Sequence, residues 1–153
     1  MKERILIVAG EVSGDLHAAG LISELKKIKP EIEFFGIGGS QMQNQGVKIL
    51  YHTDQMAFLG FWEVLWHLGF IRKVRQSLLK EIGRQPRRLA ILVDYPGFNL
   101  RLAKDLKKRK IPVVYYISPQ VWAWGRKRIG KIKQLVEHML VFFPFEERLY
   151  SQN

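Results

Sequence analysis

The chain predicts a single α/β domain of the doubly wound, Rossmann-like kind, with a mostly parallel sheet covered on both faces. Three observations carry that prediction. Short β-branched apolar runs alternate with helical segments along almost the whole length. Runs such as Ile5-Leu6-Ile7-Val8 and Leu89-Ala90-Ile91-Leu92-Val93 are apolar throughout rather than at alternate positions, as strands buried on both faces require. The 153 residues, 47% hydrophobic and 25% charged, suit one globular domain with a sizeable core. No internal repeat, low-complexity run or linker interrupts them.

Arg4–Val8 reads as the first buried strand, ending at Gly10. Gly14–Lys27 follows as a helix, with Leu16, Ala19, Leu21, Ile22 and Leu25 on one apolar face and Ser13 or Asp15 placed to cap its start. Glu33–Ile37 is a second strand closed by Gly38-Gly39. Ser40–Gln45 is a short helix stopped at Gly46, and Val47–Tyr51 is a third strand. Leu59–Ile82 reads as helix in two pieces with a break at Gly69. Leu89–Val93 is a clear buried strand that ends at Asp94. Then come a helix over Asn99–Arg109, a strand over Pro112–Ile117, a helix over Lys127–Glu137, a last strand over Met139–Phe142 and the start of a helix at Glu146–Tyr150. Ligands of such folds bind beyond the carboxyl ends of the strands, which marks residues 9–15, 38–40, 94–99 and 118–124.

Composition excludes several chemistries. With no cysteine there is no disulfide scaffold, thiolate nucleophile or zinc–thiolate site. The opening apolar run is too short for a signal peptide, and no run of about 18 apolar residues is present to cross a bilayer as a helix. The net charge of +11 is unevenly placed. Residues 1–70 carry 6 Lys and Arg against 8 Asp and Glu, whereas residues 71–153 carry 19 against 6. That asymmetry points to an anionic partner: nucleic acid, an anionic membrane face or a phosphorylated ligand. A solvated basic surface would give the same count.

Four stretches hold candidate chemistry. In Ala9-Gly10-Glu11-Val12-Ser13-Gly14-Asp15, Gly10 and Gly14 permit a tight turn and close approach of a ligand. The loop is neither the dinucleotide fingerprint nor a Walker loop. Its two carboxylates, Glu11 and Asp15, would repel phosphate and suit a sugar's hydroxyls; taken alone, the loop reads better as a capped turn with solvated acids. Asp94 ends an apolar strand, where partial burial raises a carboxylate's pKa toward that of a general base. It could also be a turn or capping aspartate. Residues 58–71 are apolar almost all round, broken by Glu63 and His67 and followed at once by Arg72, Lys73 and Arg75. Such a helix is either buried or docked at a bilayer interface, where aromatic rings and flanking cations are at home. His67 has no second ligand at metal spacing, so no metal site is read. Finally, Ser118-Pro-Gln-Val-Trp122-Ala-Trp124 sets two tryptophans beside the basic stretch that starts at Arg126.

In family order, Ala-Gly-Glu-Val-Ser-Gly-Asp at 9–15, Gly-Ile-Gly-Gly at 36–39, Met-Ala-Phe-Leu-Gly-Phe-Trp-Glu-Val-Leu at 56–65, Asp-Tyr-Pro-Gly-Phe-Asn-Leu at 94–100, Tyr-Ile-Ser-Pro-Gln-Val-Trp-Ala-Trp at 116–124 and Phe-Pro-Phe-Glu at 143–146 resemble the lipid-A-disaccharide synthases. These are glycosyltransferases of two-domain GT-B architecture. The resemblance implies that residues 1–153 form the N-terminal, acceptor-side half, and that a UDP-sugar-binding domain lies outside this sequence. It implies a metal-independent, inverting transfer without a cofactor. UDP-2,3-diacylglucosamine is joined to 2,3-diacylglucosamine 1-phosphate, giving the β-1,6 disaccharide and UDP. Asp94 matches the family's essential aspartate and takes the general-base role. Gly10, Glu11, Ser13, Gly14, Asp15, Glu63, Asn99, Ser118, Trp122, Trp124 and Arg126 are the expected acceptor-binding residues. Phe61, Trp62, Val64, Leu65, Trp66 and Leu68 are the expected membrane-docking patch, on an enzyme peripheral to the cytoplasmic face of the inner membrane. Gly97 stands where many members carry a second aspartate, and Gly125 where a basic residue often follows the second tryptophan. The expected partners are lipid-linked sugars, a UDP-sugar donor and an anionic membrane surface. A non-catalytic lipid-binding module that kept the fold is the alternative. No nucleic-acid motif accompanies the basic charge, so no nucleic-acid partner is expected.

Overall fold

Six short strands form one all-parallel sheet in the order β3-β2-β1-β4-β5-β6: β1 Arg4–Ala9, β2 Glu33–Gly38, β3 Lys48–His52, β4 Ala90–Val93, β5 Val113–Tyr116 and β6 His138–Leu140. The computed structural model describes residues 3–57, 67–85, 88–120 and 127–152. Among these, the helices are α1 Val12–Ile28, α2 Ser40–Asn44, α3 Thr53–Met56, α4 Leu68–Gly83, α5 Pro96–Lys108, α6 Lys127–Leu135 and α7 Pro144–Ser151. The α/β doubly wound prediction therefore holds, strand by strand.

Period-two alternation along each strand distributes the core between two layers. From β1, Leu6 and Val8 point into a layer closed by Val74, Leu78 and Ile82 of α4 and by Phe98, Leu102 and Leu106 of α5. Ile5, Ile7 and Ala9 point the other way, onto Ala18, Ala19 and Ile22 of α1 and Met42 of α2. Each such aliphatic or aromatic side chain taken out of water contributes about 1.5–3 kcal/mol, which is why the central strands read as unbroken apolar runs. Gly36 is where β2 approaches β1 most tightly. It holds φ +149, and a Cβ there would lie 1.9 Å from the Ile7 carbonyl oxygen, so only glycine fits. The register of β2 against β3 shifts between Gly36 and Ile37.

Chain direction changes at the centre of the sheet. From β1 the chain winds outward through β2 and β3, crosses over through α4, and winds outward the other way through β4, β5 and β6. The neighbours β1 and β4 thus send their following helices to opposite faces. Their carboxyl ends, Ala9 and Val93, are paired in register. The two diverging loops open the crevice in which such sheets bind ligands.

Three local expectations need correction. Gly69 does not break a helix: α4 runs from Leu68 through it to Gly83, and a Cβ there would meet nothing within 4 Å. It lies in the first turn, where a glycine interrupts little of the hydrogen-bond ladder. Neither Ser13 nor Asp15 caps α1. The helix starts earlier, at Val12, with Glu11 as N-cap and no side-chain cap bond. The helix expected from Asn99 begins at Pro96, whose fixed φ and missing N–H suit a first turn.

Asp15 has a different task. It is only 4% exposed, and its carboxylate accepts hydrogen bonds from the backbone N–H groups of Gly39 (2.7 Å), Gln41 (3.0 Å) and Met42 (3.1 Å). These are the open donors at the start of α2. One side chain of α1 therefore ties down the turn after β2. Replacing it strands three donors, two of them buried, so Asp15→Ala is expected to lower the unfolding free energy by roughly 2–5 kcal/mol, read from urea denaturation at neutral pH.

Candidate active site

The crevice at the switch point contains a cavity of about 380 Å³. Gly10, Glu11 and Val12 line it from the first loop, Thr53, Asp54, Met56 and Ala57 from α3 and the residue after it, and Tyr95 from the end of β4. The Tyr95 ring lies across Gly10, where a Cβ would come within 2.2 Å of the ring edge. Its hydroxyl reaches the Met56 carbonyl at 3.4 Å. One aromatic side chain thus joins all three walls, and the glycine at position 10 is what admits it.

Asp94, next to Tyr95, is half-buried at the same strand end. Burial, which penalises the charged form, pushes its carboxyl above the ordinary value of 3.8; a hydrogen bond from the Tyr95 backbone and the charge of His17 pull less strongly the other way. The backbone here is unusual. Asp94 (φ 46) and Tyr95 (φ 47) are both left-handed, and Ile117 (φ 68), a β-branched residue, is left-handed at the end of β5. Of the four positive-φ residues other than glycine among the described residues, these three stand together at the ligand edge. Each costs on the order of 1–3 kcal/mol, and such strain persists only where surrounding structure holds it, characteristically at functional sites.

What holds it is visible. The Asp94 carbonyl accepts from the Asn99 amide (2.9 Å) and from the Tyr115 hydroxyl. Asn99 is fully buried, and the same amide nitrogen also reaches the Val93 carbonyl at 3.2 Å and the Val8 carbonyl at 3.5 Å. It therefore spans the β1–β4 pair at the switch point. Tyr115 is buried too; burial first, and the Asp94 charge second, keep its phenol protonated and hence a donor.

The other expected site residues fall into distinct places. Glu11 is exposed on the cavity wall, and Asp54, whose side chain is 85% exposed, sits opposite on α3, 3.1 Å from His52 Nδ1. Ser13 is exposed on the first turn of α1. Gly14 is buried where α1 passes the sheet, 3.5 Å from the Ala9 Cβ if it carried a Cβ of its own. Asp15 is committed to the α2 backbone, as described. Ser118 is buried and engaged with the Tyr150 hydroxyl at 2.7 Å and the Pro119 carbonyl at 2.9 Å, which ties the end of β5 to α7. Leu68, at the start of α4, is 46% exposed. Phe61, Trp62, Glu63, Val64, Leu65, Trp66, Trp122, Trp124 and Arg126 lie outside the described residues. No helix among the described residues is long and apolar enough to cross a membrane.

Thr53, Asp54 and Met56 were not among the expected residues: α3 follows β3 directly, and the carboxyl end of β3 was not among the marked loops. Tyr95 lies in the marked stretch 94–99 but had no role assigned to it. His17 was missed as well. Its ring meets the exposed Phe142 edge-on at 5.2 Å, and Phe142 in turn meets Tyr116 at 6.1 Å, so the start of α1 touches the loop after β6.

Fold and site together define a doubly wound α/β domain with a strained, partly buried carboxylate and a carboxylate-lined cavity at its switch point. The family model for lipid-A-disaccharide synthetase matches residues 5–153, and the chain belongs to that family. It is 48% identical over 150 residues to the lipid-A-disaccharide synthase of Trichlorobacter lovleyi and 48% over 149 residues to that of Geobacter sulfurreducens. To the Coxiella burnetii protein of the same name it is 45% identical over 148 residues. These alignments take in 97–98% of the chain but only 39% of each relative, so the chain spans about two-fifths of their length.

The raised pKa of Asp94 has a consequence for stability. A carboxyl whose pKa is higher folded than unfolded makes the folded state bind more protons, so its charge costs stability as pH rises from 3.8 through the folded value. Asp94→Asn is therefore expected to stabilise the fold at pH 7 and to lose that advantage below pH 3.8, measured by urea denaturation at both ends of the range. Tyr115→Phe removes one of two donors to the strained carbonyl and is expected to cost about 1 kcal/mol in the same measurement.

Proposed function

We propose that this chain is the acceptor-side part of a lipid-A-disaccharide synthase, with Asp94 as general base. The observation that carries the proposal is the strained, half-buried Asp94 at the switch point of a chain that matches the family over residues 5–153. The acceptor, 2,3-diacylglucosamine 1-phosphate, presents a primary hydroxyl, a poor nucleophile until its proton is taken. The Asp94 carboxylate accepts that proton as the oxygen forms its bond to the anomeric carbon of UDP-2,3-diacylglucosamine. The bond from that carbon to the diphosphate breaks on the opposite side, the electron pair leaves with UDP, and the anomeric configuration inverts. A raised pKa makes the carboxylate a stronger base for that proton.

The cavity lined by Glu11 and Asp54 suits the sugar ring, because carboxylates accept from hydroxyls and repel the donor's diphosphate. Asn99 and Tyr115 position the base through its backbone rather than touching substrate. The donor site is assigned to the part of the relatives that this chain does not span. Membrane docking, peripheral on the cytoplasmic face of the inner membrane where both acylated substrates reside, is assigned to Phe61, Trp62, Val64, Leu65, Trp66 and Leu68.

Two assays test this reading. The chain alone, given both lipid substrates, is expected to show little or no turnover, and added donor domain from a relative to restore it. In the reassembled enzyme Asp94→Ala is expected to lower kcat by about 10²–10⁴-fold. Full rate with Asp94→Ala would remove the general-base assignment and favour a lipid-binding module instead.

A further inference from the structure

On the sheet face away from α1, the helices α4 and α5 enclose a second cavity, of about 330 Å³. Arg72, Arg75 and Gln76 line it from α4, and Asp105, Lys108 and Arg109 from the end of α5 and the residue after it. Four cations from segments some thirty residues apart thus converge on one groove with a single carboxylate. That carboxylate is taken: Asp105 accepts from Arg75 Nε at 3.1 Å and Nη2 at 2.5 Å. Arg109 is held in place by a bond to the Leu79 carbonyl at 3.3 Å. The side chains of Arg72 and Lys108 make no hydrogen bond or ion pair with any described residue.

Helix electrostatics explain only half of this. Lys107 and Lys108 stand at the carboxyl end of α5, where cations are favoured. Arg72 and Lys73 stand at the opposite end of their helix, in the second turn of α4, whose first turn holds no acid. Cations there gain no support from the helix dipole, which acts within the terminal turns. A bound anion would give them a partner. Gln76 and the Arg75 guanidinium, already oriented by Asp105, add donors to the charges of Arg72 and Lys108.

We infer that the α4–α5 groove binds the phosphate of an anionic phospholipid headgroup. Lipid rather than free phosphate is favoured by the position: α4 opens with the exposed Leu68 and follows directly on the most apolar stretch of the chain, residues 58–66. The groove lies one to three turns along α4 from Leu68 and is open to solvent. Apolar insertion and headgroup capture would then act together, as stable anchoring generally requires two signals. The inference rests on the membrane-docking reading above and is independent of the role of Asp94.

Vesicle co-sedimentation tests it without turnover. Two vesicle types are compared, phosphatidylcholine alone and phosphatidylcholine with a minor fraction of phosphatidylglycerol. The variants are Arg72→Glu/Lys108→Glu and, as a control of equal charge change on exposed residues distant from the groove, Lys27→Glu/Lys48→Glu. Circular dichroism confirms that each variant is folded. The groove variant is expected to weaken binding to the anionic vesicles on the order of tenfold or more, the control much less, and millimolar inorganic phosphate is expected not to compete. Equal losses in both variants would reduce the effect to net charge and overturn the site. Full competition by inorganic phosphate would overturn the lipid assignment. Unchanged binding by the groove variant would overturn the inference while leaving membrane docking intact, whereas no binding to either vesicle would remove the docking reading with it.

Discussion

The in-register pairing of β1 with β4 fixes every group at the ligand edge. Ala9 lies beside Val93, so the chain leaves the sheet at Gly10 and at Asp94 side by side and diverges to opposite faces. The space between must be closed by something, and the Tyr95 ring over Gly10 closes it. Bringing that ring inward forces Asp94 and Tyr95 into the left-handed region. The Asn99 amide, bonded to carbonyls of both strands and of the turn, together with the Tyr115 hydroxyl, holds them there. Strain, brace and cavity are parts of one arrangement, and it begins with two parallel strands whose crossovers part company.

The carboxylates near this edge show how environment divides labour among identical groups. Asp15 is buried and accepts three backbone N–H bonds, so it is a structural anion that fastens α2. Glu11 and Asp54 line the cavity, Asp54 with its carboxylate beside His52 Nδ1. Asp94 is half-buried with its carbonyl, rather than its carboxylate, carrying the principal hydrogen bonds from Asn99 and Tyr115, so desolvation dominates and its proton affinity rises. A charge tied by donors stabilises the fold; one left partly desolvated costs stability and gains basicity.

Charge is segregated in the same way. The carboxylates that line the main cavity come from the acidic first half of the chain, whereas the α4–α5 groove draws wholly on the basic second half. The two cavities therefore differ in the charge of their lining, acidic at the switch point and mostly basic on the helical flank. A chain that spans 39% of its relatives' length carries both.

The sequence by itself determined the fold class, the strand order along the chain and the region of the site. It could do so because parallel strands need continuous apolar runs, and because α/β sheets bind at their carboxyl ends; those grounds marked Asp94 as a candidate, with a turn or capping role equally open. Element boundaries shifted by a residue or a few. Gly69 was misread because glycine in a first helical turn leaves the same trace as glycine at a break. Only the tertiary structure decided which acids are free. Nothing local to Asp15 reveals that its oxygens meet the N–H groups of residues 39–42, and nothing local to Tyr115 reveals a bond to a carbonyl twenty-one residues earlier. Nor does the spacing of Arg72 and Lys108 announce a shared groove. Periodicity records which side of an element faces the core, but hydrogen bonds and charge clusters between distant segments exist only once the sheet has set their distances.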